Sequence, residues 1–117
     1  MEDTTIYHYA SCSKSRETLG LLKAHTDEVK IIEYLKTPPT AAELEKLVSM
    51  LGIRPVELIR LGEPVFKEHF SGKNLTDGEA IQAMVDFPIL IERPIVVRGK
   101  KAVIGRPPAN VELLFGA

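Results

Sequence analysis

Cys12 is the only thiol in the 117-residue chain, and it sits in a polar run, Ala10-Ser11-Cys12-Ser13-Lys14-Ser15. The run lies between an extended stretch, residues 4–8, and a helix predicted from about Arg16 to Ala24. A sulfur at a helix N-terminus meets unpaired backbone amides and the positive end of the helix dipole, so the thiolate is favoured over the thiol. Such surroundings lower a thiol pKa from its reference of about 8.5 and make it a nucleophile. The hydroxyls of Ser13 and Ser15 are placed to donate to the sulfur, and His8 to add positive charge from the side. A cysteine that only filled a core would be expected on an apolar face, which this one is not on. A dithiol oxidoreductase would carry its second cysteine at position 15, where this chain has Ser15. An adduct on Cys12 must then be cleared by a thiol from outside, so the chemistry is monothiol.

Three arginines, Arg60, Arg93 and Arg106, fall at element boundaries, Arg60 at the end of a helix and the other two directly before prolines. A guanidinium is a permanently charged planar fork that binds a tetrahedral oxyanion through two bonds. A thiolate among such cations can attack the centre of an oxyanion whose charge they neutralise. Taken singly, each is more commonly a surface residue, and spacing does not bring the three together. Arg16, Arg54 and Arg98 receive no such role from spacing. His25 and His69 read as surface residues. One cysteine excludes an internal disulfide and a CxxC pair, and no His/Asp cluster suggests a transition metal.

The elements that must hold these residues read as strand 4–8, helix, and strand 29–34, a βαβ unit with parallel strands and a right-handed crossover. Helices follow. Thr40 with Glu43 makes a capping box ahead of Leu44, Leu47, Val48 and Leu51, and Gly52 ends that helix. Pro55 opens a short helix carrying Leu58, Ile59 and Arg60. Thr76 with Glu79 opens another with Ile81, Met84 and Val85 on one face. Strand runs 95–98 and 101–104 join through Gly99-Lys100 in a type II′ turn. A last helix after Pro107-Pro108 turns Val111 and Leu114 inward. A βαβ half joined to a ββα half is a thioredoxin-like α/β fold with one mixed sheet. The chain is expected to form a single domain, 1–117, with a helical insertion at about 40–87. In such a sheet the residue before the third strand is commonly a cis-proline beside the cysteine, which singles out Pro94.

Composition narrows the function classes. The hydrophobic fraction of 44% and charged fraction of 26% suit one globular core. Fifteen basic against sixteen acidic side chains give a net charge of −1, so the cationic surplus of a nucleic-acid binder is absent. No apolar run spans a bilayer, and Met-Glu-Asp-Thr-Thr at the start is no secretory signal. A leaderless chain with one thiol is expected in the cytoplasm.

The residues carry a resemblance. Thr5-Ile-Tyr-His8, Cys12-Ser-Lys-Ser-Arg16, Glu33-Tyr-Leu-Lys-Thr-Pro-Pro-Thr40, Leu44 to Gly52, Leu58-Ile-Arg60, Phe87-Pro-Ile-Leu-Ile-Glu-Arg-Pro-Ile-Val-Val97 and Ile104-Gly-Arg-Pro-Pro108 occur in order over nearly the whole length. Together they make the chain similar to the glutaredoxin-linked arsenate reductases, in the manner of their short housekeeping members. The resemblance implies that Cys12 is the nucleophile, that His8 helps lower its pKa, and that Arg60, Arg93 and Arg106 bind the oxyanion. It also implies reduction of arsenate to arsenite in a monomer with glutathione as reductant and glutaredoxin as partner. No metal, flavin or nicotinamide would bind. The family usually reads His-Asn-Pro where this chain has His8-Tyr9-Ala10, a change expected to leave the loop less constrained. Two other readings share the motifs: a monothiol glutathione-dependent oxidoreductase with another substrate, and an Spx-like regulator that binds RNA polymerase. Ser15 removes half of the CxxC switch that such regulators commonly carry.

Overall fold

The computed structural model describes residues 3–115, and its chain divides into two compact units, Met1–Thr37 with Arg93–Ala117, and Pro38–Glu92.

The first unit is a four-stranded mixed sheet in the order β2-β1-β3-β4. β1 (Thr4–His8) pairs parallel with β2 (Val29–Glu33), Ile6 opposite Ile31, and antiparallel with β3 (Ile95–Arg98), Ile6 opposite Val96. β3 turns into β4 (Lys101–Ile104) through Gly99 and Lys100. Gly99 has φ 59°, and no described non-glycine residue has positive φ, so the turn is of the type that needs glycine only at its first central position. Ile6, Leu22, Val96, Val111 and Leu114 form the buried core, with Leu19, Val29 and Val103 packed around them. This strand order and pairing, with α1 (Ser13–His25) as the crossover, is thioredoxin-like.

α1 begins three residues before the expected Arg16, with Cys12 as its N-cap. Its buried side chains are Ser15, Thr18 and Leu22, so two of the three are polar and apolar periodicity could not mark its first turn. The closing segment, Pro108–Leu114, is a 3-10 helix, not an α-helix. Val111 and Leu114, both buried, eclipse one another at the three-residue period of that helix.

The second unit is helical. In α2 (Ala41–Leu51) both halves of the Thr40–Glu43 capping box are present, and Gly52 ends the helix at φ 69°, a conformation that favours glycine. α3 (Pro64–Phe70) buries no residue, which is why no apolar stripe announced it. α4 (Asp77–Asp86) starts at the Thr76–Glu79 box and buries Ala80, Ile81, Ala83 and Met84. The short helix after Arg54 is a 3-10 turn, Pro55–Leu58, and stops before Ile59. Ile59 instead forms a β-bridge with Ile91, fixed by Arg60 N–H donating to Leu90 O at 2.7 Å and Glu92 N–H to Leu58 O at 2.8 Å. Arg60 therefore follows an extended residue, not a helix end as its sequence suggested.

Candidate active site

Cys12 sits where β1 hands over to α1, and the turn between them is held by backbone and side-chain bonds. Cys12 N–H donates to Tyr9 O at 2.9 Å and Arg16 N–H to Cys12 O at 3.1 Å. Tyr9 N–H donates to Ser15 Oγ at 3.1 Å, and the Arg16 guanidinium to Ala10 O at 2.8 Å. The Tyr9-Ala10 loop is thus held at both residues.

The sulfur is partly buried and faces cations from the far end of the sequence. Arg106 Nη2 donates to Sγ at 3.2 Å, and its Nε to Arg93 O at 2.7 Å. Burial pushes the Cys12 thiol up, but the Ser15 amide, the Arg93 side chain bonding to the sulfur, the Arg106 charge and the Lys14 amide together outweigh it. The net pKa lies below the ordinary thiol value. No N–H makes a capping bond of full geometry with the cysteine side chain, so the amides act as oriented dipoles.

Ser15 and His8 reach this result differently from the sequence expectation. The Ser15 hydroxyl, fully buried, is 2.6 Å from His8 Nδ1, and what Ser15 directs to the sulfur is its amide. His8 is buried too, and burial lowers its pKa, with Arg16 and Lys23 adding to the effect and Glu33 opposing it. Burial therefore favours the neutral imidazole, and the hydrogen bond His8 makes is with Ser15. Lys14 is exposed and reaches Glu17 at 3.8 Å.

Two loops deliver the arginines. Arg93 precedes Pro94 through a cis bond, and the Arg106–Pro107 bond is cis as well. Gly105 N–H donates to Pro94 O at 2.9 Å, and Thr18 Oγ1 donates to Gly105 O at 3.3 Å. A Cβ on Gly105 would lie 2.6 Å from Thr18 Oγ1 and 2.8 Å from Pro94 Cγ, so only glycine lets these segments meet. Asn110 Nδ2 donates to Ile104 O and Arg106 O, both at 3.1 Å, and steadies the arginine from behind. Tyr9, Thr18, Gly105 and Asn110 were not identified from sequence. A tyrosine beside the cysteine loop was the one visible signal.

The structure thus brings Cys12, His8, Ser15, Arg93, Pro94 and Arg106 into one unit. Arg60 belongs to the other, where Nη1 donates to Glu92 Oε1 at 2.7 Å and the buried Nε has no hydrogen-bond partner among the described residues. Among the described residues no group of three or more His, Cys, Asp or Glu is placed to hold a metal ion. No described helix is long and apolar enough to cross a membrane.

A thioredoxin-like sheet with one cysteine at a helix start, arginines at the sulfur and serine in the resolving position defines a monothiol member of that fold. Comparison gives the family: residues 7–114 match the ArsC family, and the chain belongs to it. It is 49% identical over 113 residues to the Escherichia coli "Uncharacterized protein YfgD", covering 95% of each chain. It is 36% identical over 117 residues to the arsenate reductase of Neisseria meningitidis, covering 98% of this chain and 100% of that one. The solved arsenate reductase of Vibrio cholerae superposes with a TM-score of 0.90 at 41% identity, over 96% of this chain and 97% of that one.

Proposed function

We propose that the protein reduces arsenate to arsenite with glutathione and glutaredoxin as the source of electrons. The observation that carries this reading is the Arg106 Nη2–Sγ bond of 3.2 Å on a thiol whose pKa is lowered. It couples a thiol whose ionisation is favoured to a permanent cation, which is what attack on a tetrahedral oxyanion requires. Arg93 and Arg106 hold the arsenate oxygens.

The Cys12 thiolate attacks arsenic and displaces one oxygen, which leaves as water after protonation, giving a thiolate–arsenic(V) adduct. Glutathione adds to the arsenic, displacing a second oxygen as water. A glutaredoxin thiolate then takes the glutathione sulfur as a mixed disulfide, and the released electron pair lowers arsenic to the trivalent state. Water frees arsenite, and Cys12 returns as a thiolate. Ser15 offers no thiol to intercept the adduct, which is why two external thiols enter. The reaction suits a monomer in the reducing cytoplasm.

The test is a coupled assay with arsenate, glutathione, glutaredoxin, glutathione reductase and NADPH, comparing the protein with Cys12→Ser. Arsenate-dependent NADPH oxidation that disappears in the variant is the expected result. Turnover no faster than the protein-free blank would overturn arsenate as substrate.

A further inference from the structure

We propose that Tyr9 is a positioning residue for this site, its ring holding the Arg93 guanidinium against the Cys12 sulfur. The proposal adds to the oxyanion reading, and its thiol measurement stands without it. Arg93 Cζ lies 4.9 Å from the centroid of the Tyr9 ring, within the range in which a guanidinium is attracted to a π face. Arg93 is buried, 7% exposed, and an attraction of this kind strengthens when water is excluded.

The ring has a fixed root. Tyr9 N–H is held by Ser15 Oγ and Tyr9 O by the Cys12 amide, so the ring is anchored by the residues that begin α1. The Arg93 carbonyl in turn accepts from Arg106 Nε. A movement of Arg93 therefore passes to the second cation at the sulfur. The other charged or titratable groups around Cys12 are engaged elsewhere: Lys14 with Glu17, Arg16 with Ala10 O, and His8 with Ser15. None of them replaces a displaced guanidinium.

Because Cys12 is the only thiol, the rate of alkylation by iodoacetamide across pH reads its ionisation directly. Tyr9→Phe keeps the ring and should overlay the unmodified protein. Tyr9→Leu and Tyr9→Asn should move the profile to higher pH and slow alkylation at pH 6 by about three- to fivefold, the scale of one cation–π contact. Combining Tyr9→Leu with Arg93→Lys should give less than the sum of the two effects, because both disturb one contact. With arsenate, KM should rise by a similar factor while kcat stays within about twofold.

A Tyr9→Asn profile superimposable on that of the unmodified protein, or strict additivity in the double variant, would overturn the proposal. Tyr9→Asn is a second variant without the ring, so that arm survives if Tyr9→Leu does not fold. Absence of arsenate turnover in the unmodified protein would overturn the proposed reaction and leave the alkylation profiles to decide the role of Tyr9.

Discussion

The two ends of the sheet carry nearly the same parts and put them to different use. At one end Arg93 lies over Tyr9, and a buried histidine, His8, is bonded to Ser15. At the other end Arg98 lies 4.4 Å from the Phe115 centroid, and His25 stacks on that ring at 4.3 Å while bonding Glu112 at 2.7 Å. The thirteen residues of α1, about 20 Å of helix, separate them. Arg98 Nη1 donates to the buried Thr4 Oγ1 at 2.7 Å. Its charge is committed within the protein, as is the carboxylate beside His25. At the Cys12 end the equivalent bond runs to a sulfur that can leave it for a reacting atom. An arginine on an aromatic ring is thus not itself a functional mark. What separates the ends is whether the arginine N–H groups meet a fixed hydroxyl or a nucleophile.

Removing one arginine from each end tests that contrast most strongly. Arg106→Ala deletes a charge-assisted bond to the sulfur and should lower kcat/KM for arsenate by about 10- to 100-fold, the equivalent of some 1.5–3 kcal/mol. Arg98→Ala should leave the Cys12 alkylation profile where it is and lower the denaturant midpoint only. Equal alkylation profiles for the two variants would erase the distinction.

Gly105→Ala probes the junction behind the arginines. Its Cβ collides with Thr18 and Pro94, and the expected loss is about 1–3 kcal/mol in urea unfolding together with slower alkylation. Wild-type stability would show that the junction yields.

The histidines differ in their response to acid. His8 has a folded pKa below its ordinary 6.5, so the unfolded chain binds its proton first as pH falls. The stability His8 contributes is complete above 6.5 and is lost as pH drops through the lower, folded value. Thermal melting between pH 7.5 and 5 should fall less steeply in His8→Gln than in the unmodified protein. Parallel curves would mean His8 does not titrate in this window.

The smallest effect belongs to the far end. His25→Gln disrupts a half-exposed pair with Glu112 and should cost under about 1 kcal/mol in unfolding, with no change in alkylation.

What could be read from sequence was what lies close in the chain. The Thr40–Glu43 and Thr76–Glu79 boxes are contained within four residues each, and the Gly99 turn within two. Cys12 was legible because the helix start and its polar neighbours are adjacent to it. The first turn of α1 was not, since its inward residue is a serine satisfied by His8 and Tyr9. Ile59 was misassigned to a helix because its bridge partner, Ile91, is remote in sequence. The neutral state of His8 depends on burial, which the string Tyr-His-Tyr does not display. Arg106 was singled out by type and by its prolines, but its bond to the sulfur spans 94 positions and exists only after folding.

That separation gives the thiol a history. During synthesis Cys12 emerges early, while the residue that donates to it is made 94 positions later, roughly 5–20 seconds at ordinary elongation rates. Until then the cysteine lacks both distant cations, and its thiolate is less favoured than in the finished site. The newborn chain has only the part of this activation that its local amides can supply. Its sharpened nucleophile appears only when both ends of the polypeptide have met.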